Sequence, residues 1–391
     1  MSFLRGSVTL VRYRVTKDPT GAFGADHIEK LKSLRVGRSK SNLLEEPVTG
    51  FCGGAHLLDT DFDEGKNIVG DALHFGIRTD SCQVPSPIKR AWTAIELAGI
   101  MKDNLGGRPS KKQREEANQA VEARCAAEAK KGNYLKMSEV PVLWDAATET
   151  VYLGSTSEKA IDNCLTLLKR AFDLEFRKVS SGALAAEFAD SSDLLAELYE
   201  ATPSAFHPGG TNSVVWWNGM KDNYDYLGNE FLLWLWWKWE TQAKELELSD
   251  GSILSGMFAR TLALDCPIGE HGKESISAES PVALPEALLA IGMGKLPRKA
   301  GLTLVREDEQ FDLTLNAETF SIGSARISQV GDEGVTRDVI DRIESIRALC
   351  EAVDLLFEAF CEKRIGSKWK TEQKKIMQWL KAYPVRSQAA A

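Results

Sequence analysis

The sequence lacks the motifs that mark most enzyme and membrane-protein classes. It has no run of roughly 18 or more apolar residues, so no transmembrane helix is expected. Phosphate-binding loops of the GxxxxGK[ST] and GxGxxG types and the GxSxG nucleophile elbow are absent. The N-terminal stretch has no continuous apolar segment, so a signal peptide is not expected either. We therefore expect a cytoplasmic protein that binds no membrane, needs no cofactor and has no enzymatic activity.

Patterns of metal ligands are also scarce. The five histidines form no HExxH or HxH pattern, and none stands at zinc-ligand spacing from a cysteine. The seven cysteines form no CxxC pair, which favours reduced, buried thiols. One metal hypothesis remains, a nuclease site at Asp59, Asp61 and Asp63. That loop lacks the EF-hand pattern, so a solvated loop is the favoured interpretation.

Positive charge is concentrated in two regions of an acidic chain, whose formal net charge is −8. Residues 86–136 contain eleven Lys and Arg against six Asp and Glu, a net charge of +5. Residues 361–391 contain eight against two, a net charge of +6, which leaves −19 for the rest of the chain. Salt screens charges over about 8–10 Å, so the two basic regions can act independently of the acidic remainder.

The stretch VPSPIKRAW opens the first basic region. A residue that precedes proline favours extended backbone, so Val84 and Ser86 should be extended. Ser86 then suits an N-cap, and Pro87 suits the first position of a helix. Lys89 and Arg90 fall in the first turn of that helix. The stretch therefore predicts a basic helix that begins directly after two prolines.

A second helix is predicted over PSKKQREEANQAVEARCAAEAKK. It has few large apolar residues, which is typical of a helix that projects into solvent. Two interpretations of its charge remain open. Composition favours a solvated surface helix with ion pairs such as Lys111 with Glu115. The lysine pairs 111–112 and 130–131, followed by Tyr134, instead suit contact with a DNA backbone and groove.

Strand and helix patterns along the whole chain predict an α+β fold with antiparallel sheets and packed helices. EVPVLWD and ETVYLGS read as a hairpin, QFDLTLNAETFSIGSARI as two strands, and residues 336–364 as one long amphipathic helix. Three regions are predicted. Residues 1–180 form an N-terminal α+β region with the basic helix and hairpin, residues 181–250 an acidic, Trp-rich helical region, and residues 251–391 a strand–helix region with a long helix and a basic tail.

Tryptophan is concentrated in the segment EFLLWLWWKWE. One hypothesis is a platform on which the bases of single-stranded nucleic acid stack. However, Glu230, Glu240 and Glu245 flank the cluster and would repel phosphates. We therefore interpret this segment as a buried helix with aromatic side chains in the core.

The order of several segments resembles the family of the recombination-associated protein RdgC. The strand LVRYRV, the helix HIEKLKSL and the turn GFCGG come first. VPSPIKRA is similar to the Leu-Pro-Ser-Pro signature with which that family opens a helix. SEVPVLWDAATETVYLGSTSEKAIDNCLTLLKRAF resembles its Trp-containing hairpin and following helix. ALLAIGMGKLPRKAGLTLVREDEQFDLTL resembles its helix, Gly-Lys turn and strand, and EFLLWLWW resembles a segment of its longer branch.

The resemblance implies a ring-shaped homodimer that encircles double-stranded DNA without sequence preference. Single-stranded DNA is a secondary candidate ligand. Such proteins limit the function of RecA filaments by occupying DNA, and they have no enzymatic activity. A nucleoid-associated location in the cytoplasm is therefore expected.

Some site residues follow from the resemblance. Tyr134 matches an aromatic fingertip of the family and Lys136 a family arginine, whereas Gly132 stands where the family has a second fingertip arginine. Lys295 matches the family's Gly-Lys turn and Lys299 its nearby basic position. The predicted DNA-binding residues are Lys89, Arg90, Lys111, Lys112, Arg114, Lys130, Lys131, Tyr134, Lys136, Lys273, Lys295, Arg298 and Lys299. The alternative hypothesis is a protein-interaction scaffold whose long C-terminal helix pairs with a partner.

Overall fold

The fold is known from a computed structural model. It describes residues 3–17, 20–37, 47–102, 108–206, 214–216, 223–242, 244–268, 272–281, 285–307, 309–327 and 338–381. The N-terminal elements are β1 (Val8–Val15), α1 (Ala25–Ser33), β2 (Val48–Cys52), α2 (Glu64–Asn67), β3 (Ile68–Val69), β4 (Ala72–Cys82), α3 (Ser86–Lys102), α4 (Lys111–Lys130), β5 (Leu135–Asp145), β6 (Thr150–Leu153), α5 (Glu158–Phe172), β7 (Phe176–Lys178), α6 (Ser181–Ser191) and α7 (Leu195–Tyr199).

The later elements complete an α+β fold with extensive antiparallel pairing. They are α8 (Leu227–Thr241), β8 (Glu245–Glu247), β9 (Ile253–Asp265), β10 (Glu274–Pro281), α9 (Pro285–Gly292), β11 (Leu296–Arg306), β12 (Glu309–Asn316), β13 (Ile322–Arg326), α10 (Val339–Arg364) and α11 (Trp369–Lys381). The α+β prediction is confirmed. Among the described helices, none combines the length and apolar composition needed to cross a membrane.

The chain divides into two compact units, each built from separate stretches of sequence. Unit 1 comprises Met1–Gly21, Leu143–Glu158 and Glu175–Ala391, and unit 2 comprises Ala22–Val142 and Lys159–Leu174. The division into regions 1–180, 181–250 and 251–391 stays a prediction.

Unit 1 contains an antiparallel sheet in the order β10-β9-β11-β12-β13-β1-β6. The strands β11 and β12 form a regular hairpin in which Leu302 pairs with Leu313 and Leu304 with Phe311. These four side chains are buried, as expected when alternate residues of a strand face the same side. The strand predicted for QFDLTLN is confirmed, and its alternate apolar residues form the buried face.

Helices α8 and α10 meet in an aromatic core. Phe231 of α8 lies 5.3 Å from Phe357 and 5.8 Å from Phe360 of α10, measured between ring centroids. The tryptophans of α8 are almost completely buried, with Trp234 at 1% exposure. The interpretation of the Trp-rich segment as core is confirmed, which leaves no open ring faces there for base stacking.

The long C-terminal helix is confirmed as α10, and its apolar side is covered by its own chain. Leu349, Val353, Leu356 and Phe360 are each at most 1% exposed. The segment after it, predicted only as a basic tail, contains the helix α11. The covered apolar side argues against the hypothesis that this helix pairs with a partner protein.

Unit 2 is built around β4, which pairs antiparallel with β2 and, further along the strand, with β3. Its core includes an edge-to-face contact between Phe51 and Phe75 at 5.4 Å. The imidazole of His74 is 2% exposed within this core. Burial lowers the pKa of His74 to about 4, and the nearby charge of Lys66 acts in the same direction.

Unit 2 is expected to lose stability as the pH falls from about 6.5 to 4. In that window the unfolded chain binds a proton at His74 that the folded chain does not, which lowers the free energy of unfolding by up to about 3 kcal/mol. Urea unfolding at about pH 7 and pH 4.5 should show that the free energy of unfolding falls less with pH in His74→Gln than in the wild type. The exposed His56 offers the control His56→Gln, whose pH dependence should equal that of the wild type; an unchanged profile in His74→Gln would contradict the assignment.

The start of α3 differs by one residue from the prediction. The helix begins at Ser86, and the carbonyl of Pro85 accepts the backbone N–H groups of Ile88 and Lys89 at 2.9 and 3.1 Å. Pro85 therefore occupies the N-cap position that was predicted for Ser86. The Pro85 carbonyl satisfies two N–H groups of the first turn, and no side chain is needed to accept them.

Candidate nucleic-acid interface

Helices α3 and α4 form a helical hairpin with a small apolar core. Trp92 of α3 packs with Val121 and Cys125 of α4, together with Val84 and the half-buried Tyr134. Only three residues of α4 are buried, at a spacing of four residues, so the rest of its surface faces solvent. The prediction of a poorly covered, solvent-exposed helix is confirmed.

The ends of α4 are well defined. The Ser110 side chain accepts the backbone N–H of Gln113, and the Gln113 side chain accepts the N–H of Ser110, which is a capping box. At the other end the chain turns through Gly132, at a φ of +80°, and Tyr134, at a φ of +61°. Two left-handed residues within three positions reverse the chain from α4 into β5.

The hairpin core also fixes one basic side chain. The guanidinium of Arg124 lies 4.4 Å from the ring centroid of Trp92, a cation–π contact. The Tyr134 ring meets the same tryptophan edge to face at 6.3 Å. Tyr134 is therefore half-buried in the hairpin core, in contrast to the protruding aromatic fingertip implied by the resemblance.

The predicted cations of unit 2 fall into two groups on this hairpin. Because Trp92 packs near Cys125, the start of α3 lies beside the end of α4. The basic residues of both segments are therefore at the same end, which we call the root group: Lys89, Arg90, Lys130, Lys131 and Lys136. The far group, at the start of α4, consists of Lys111, Lys112 and Arg114. All eight side chains are exposed.

Most of these cations lack an acidic partner. Among the described residues, Lys131 pairs with Glu128 at 2.9 Å, and the other cations of the root and far groups form no ion pair. The pair between Lys111 and Glu115, expected for a salt-bridged surface helix, is not formed. Lys131 and Asn133 hold the pKa of Glu128 below its ordinary value by hydrogen bonds to the carboxylate. The hairpin therefore presents positive charge that its own carboxylates compensate only in part.

The predicted cations of unit 1 are in a different situation. Lys273 lies 3.2 Å from Asp265, and Arg298 pairs with both Asp265 and Glu318. The Arg298 guanidinium also stacks 4.3 Å from the Trp216 ring centroid. These carboxylates offset the positive charge of Lys273 and Arg298, so the two side chains form a weaker phosphate site than the hairpin.

Two lysines on the same segment have opposite environments. Lys295 is 5% exposed, and its ammonium pairs with Glu274 at 2.6 Å. A buried, paired ammonium cannot reach a DNA phosphate without breaking this contact, so Lys295 does not fit the predicted contact role in this conformation. Lys299, on β11, is exposed, and its DNA contact stays a prediction.

The acidic loop proposed as a nuclease site is internally satisfied. The Asp59 carboxylate accepts the N–H groups of Ala55 and Asp61 at 3.1 Å and pairs with Lys66 at 3.1 Å. Asp63 caps α2 by accepting the N–H of Lys66. Within the described ranges no three His, Cys, Asp or Glu side chains are grouped to hold a metal ion. The loop is therefore better explained as a structural turn.

Unit 1 contains a cleft of about 940 Å³ between β1, β6 and α10. Its guanidinium groups are paired, Arg12 with Asp354 at 2.6 Å and Arg347 with Asp145 at 2.6 Å. Burial raises the pKa of the Cys350 thiol to about 12, so this lining group is protonated near neutral pH. The paired charges and the protonated thiol make the cleft a poor match for nucleophilic chemistry.

Sequence reasoning missed the display of lysines on α11. The basic region 361–391 was recognised by its charge alone. Trp369, Ile376 and Leu380, whose spacing of seven and four residues places them on one helix side, were the signal that would have predicted α11.

Comparison with known proteins does not identify a family. No protein-family model matches this chain, and no curated protein matches it. The resemblance to the RdgC family therefore stays a prediction that depends on the motifs described above.

Proposed function

We propose that this protein binds duplex DNA through its phosphates and does not read the base sequence. The observation that carries the proposal is the α3–α4 hairpin, which presents exposed and mostly unpaired cations on a chain of net charge −8. Contacts from Lys and Arg to phosphates supply affinity that depends on salt and carries no sequence information.

The dimensions of the hairpin suit a long polyanion. Lys112 and Lys130 are eighteen residues apart on α4, a rise of about 27 Å along the helix. Duplex DNA carries one negative charge per about 1.7 Å of its axis, so this length corresponds to about sixteen phosphates. A small anion would occupy one end of the hairpin, whereas a duplex can engage both groups together.

The resemblance to RdgC supplies the finer part of the proposal. In it, two copies of the chain form a ring around the duplex, and the occupied DNA becomes a poorer substrate for RecA filaments. The protein acts in the cytoplasm, associated with the nucleoid. No catalytic step is included, because phosphate neutralisation is sufficient for this role.

A salt series with wild-type protein tests the proposal. With six to ten phosphate contacts, affinity for a labelled duplex should fall by about 10³–10⁵ between about 50 and 200 mM salt. A scrambled duplex should bind equally well. If the ring closes, the protein should dissociate from a linear duplex at high salt but remain on a duplex whose ends are blocked. It should also slow strand exchange by RecA. Affinity that is flat over the salt series would overturn the proposal.

A further inference from the structure

We propose that α11 is a second contact surface for the DNA phosphate backbone, separate from the hairpin, with Lys370, Lys374 and Lys381 as its contacting residues. The inference rests on the proposed function, which it extends to a different helix in unit 1. It assigns a role to the second basic region of the sequence, which carries a net charge of +6 over residues 361–391.

The helix is held firmly by its apolar side. Trp369, Ile376, Trp379 and Leu380 are buried at 8% exposure or less. The indole N–H of Trp369 donates to the Ser204 hydroxyl at 2.9 Å. The Trp369 ring also lies 5.8 Å from the Phe360 ring of α10. Because the apolar side is anchored at several points, the opposite side has a defined orientation.

Three lysines form a row on the solvent side. Lys374 and Lys381 follow Lys370 at intervals of four and eleven residues, which places all three within about 40° of one another around the helix axis. The row is about 16 Å long, with rises of about 6 and 10 Å between successive lysines. All three side chains are exposed, and none forms an ion pair within the described part of the chain.

Two other lysines nearby are compensated. Lys375, on a different side of α11, lies 3.8 Å from Glu372, and Lys363 lies 2.7 Å from Glu362. The row at 370, 374 and 381 therefore differs from Lys363 and Lys375 in having no paired carboxylate. A row of uncompensated cations on one side of an anchored helix is complementary to a polyanion.

The construction of α11 favours a nucleic acid over an anionic membrane. Helices that bind a membrane surface insert an apolar face beside a basic one. In α11 the apolar side is already packed inside unit 1, so only the basic side is available. Phosphate contact at the surface requires no apolar insertion, and a duplex presents about ten phosphate charges over the length of the row.

The test compares two triple variants in binding to a labelled duplex. Lys370→Gln/Lys374→Gln/Lys381→Gln removes the row. The matched control, Lys244→Gln/Lys363→Gln/Lys375→Gln, removes the same charge from other positions in unit 1. In the row variant the slope of log affinity against log salt should be lower by about 3. Its loss of affinity relative to the wild type should therefore be about 40-fold smaller at about 200 mM salt than at about 50 mM.

The outcomes separate this inference from the proposed function. A row variant with the wild-type slope, in a protein that still binds DNA through the hairpin, would overturn the role of α11 alone. An equal loss in the control would also overturn it, since net charge would then explain the result. Loss of binding to phosphatidylserine vesicles in the row variant, with DNA binding intact, would assign α11 to membranes. Absence of DNA binding by the wild type would remove both proposals.

Discussion

Charge reversal at the root of the hairpin is expected to remove most of the salt-dependent affinity for duplex DNA. The variant carries Lys89→Glu, Arg90→Glu, Lys130→Glu and Lys131→Glu. These exposed side chains lie at the end of the hairpin that contains Trp92. Losing four phosphate contacts should lower the slope of log affinity against log salt by about 4. The variant's loss of affinity relative to the wild type should therefore be about 150-fold smaller at about 200 mM salt than at about 50 mM. Repulsion by the new carboxylates adds to the loss.

Reversal of three other cations in the same unit distinguishes contact from net charge. Lys159, Lys169 and Arg170 are exposed cations on α5 of the same unit, and their reversal should leave the salt slope close to that of the wild type. A second arm reverses Lys111, Lys112 and Arg114 at the far end and should lower the slope by about 3. Circular dichroism and thermal unfolding are used to check that each variant folds. If both hairpin variants bind duplex DNA as tightly as the wild type, the hairpin is not the DNA interface.

Truncation of Glu230 is expected to destabilise unit 1 more than any change at an exposed charge. The Glu230 carboxylate pairs with Arg364 at 2.5 Å, and the two side chains are 2% and 6% exposed. It also accepts the backbone N–H of Ser204 at 2.6 Å. Its removal leaves the Arg364 guanidinium buried without its carboxylate, so Glu230→Ala should lower the free energy of unfolding by about 3–5 kcal/mol.

Urea unfolding measures this effect against an exposed pair. Arg306 pairs with Glu351 at 2.7 Å, but the Glu351 side chain is 61% exposed, so Glu351→Ala should cost no more than about 1 kcal/mol. Water screens the attraction in the exposed pair, whereas in the buried pair the loss of one partner leaves a charge that water does not solvate. A loss below about 1 kcal/mol in Glu230→Ala would show that the buried guanidinium finds another partner or water.

Local patterns were sufficient for most secondary structure. The alternation in QFDLTLN predicted a strand whose Phe311, Leu313 and Leu315 are buried. The helical pattern of residues 336–364 predicted α10, and the sparse apolar content of the second basic helix predicted its exposure. Periodicity works here because a strand or helix with one buried face repeats apolar residues at its own geometric period.

Charge environments were not available from local sequence. Lys295 and Lys299 stand four residues apart, yet the first is buried against Glu274 and the second is exposed on β11. The partner of Lys295 is twenty-one residues away along the chain. Likewise, Lys111 and Glu115 have ideal spacing for a helical ion pair that the structure does not form. Spacing permits such a pair, but side-chain rotamers and competing solvation decide whether it exists.

By itself, then, the sequence determined that the protein is acidic, has an α+β fold and contains two basic regions. It also predicted a basic helix that begins at two prolines, an exposed helix after it, and a buried Trp-rich segment. Only the tertiary structure decided which cations are uncompensated: the α11 row and all the hairpin cations except Lys131 are, whereas Lys273, Lys295 and Arg298 face carboxylates. The reason is that net charge is a property of composition, but the charge a ligand meets depends on which distant carboxylates the fold brings within a few ångströms.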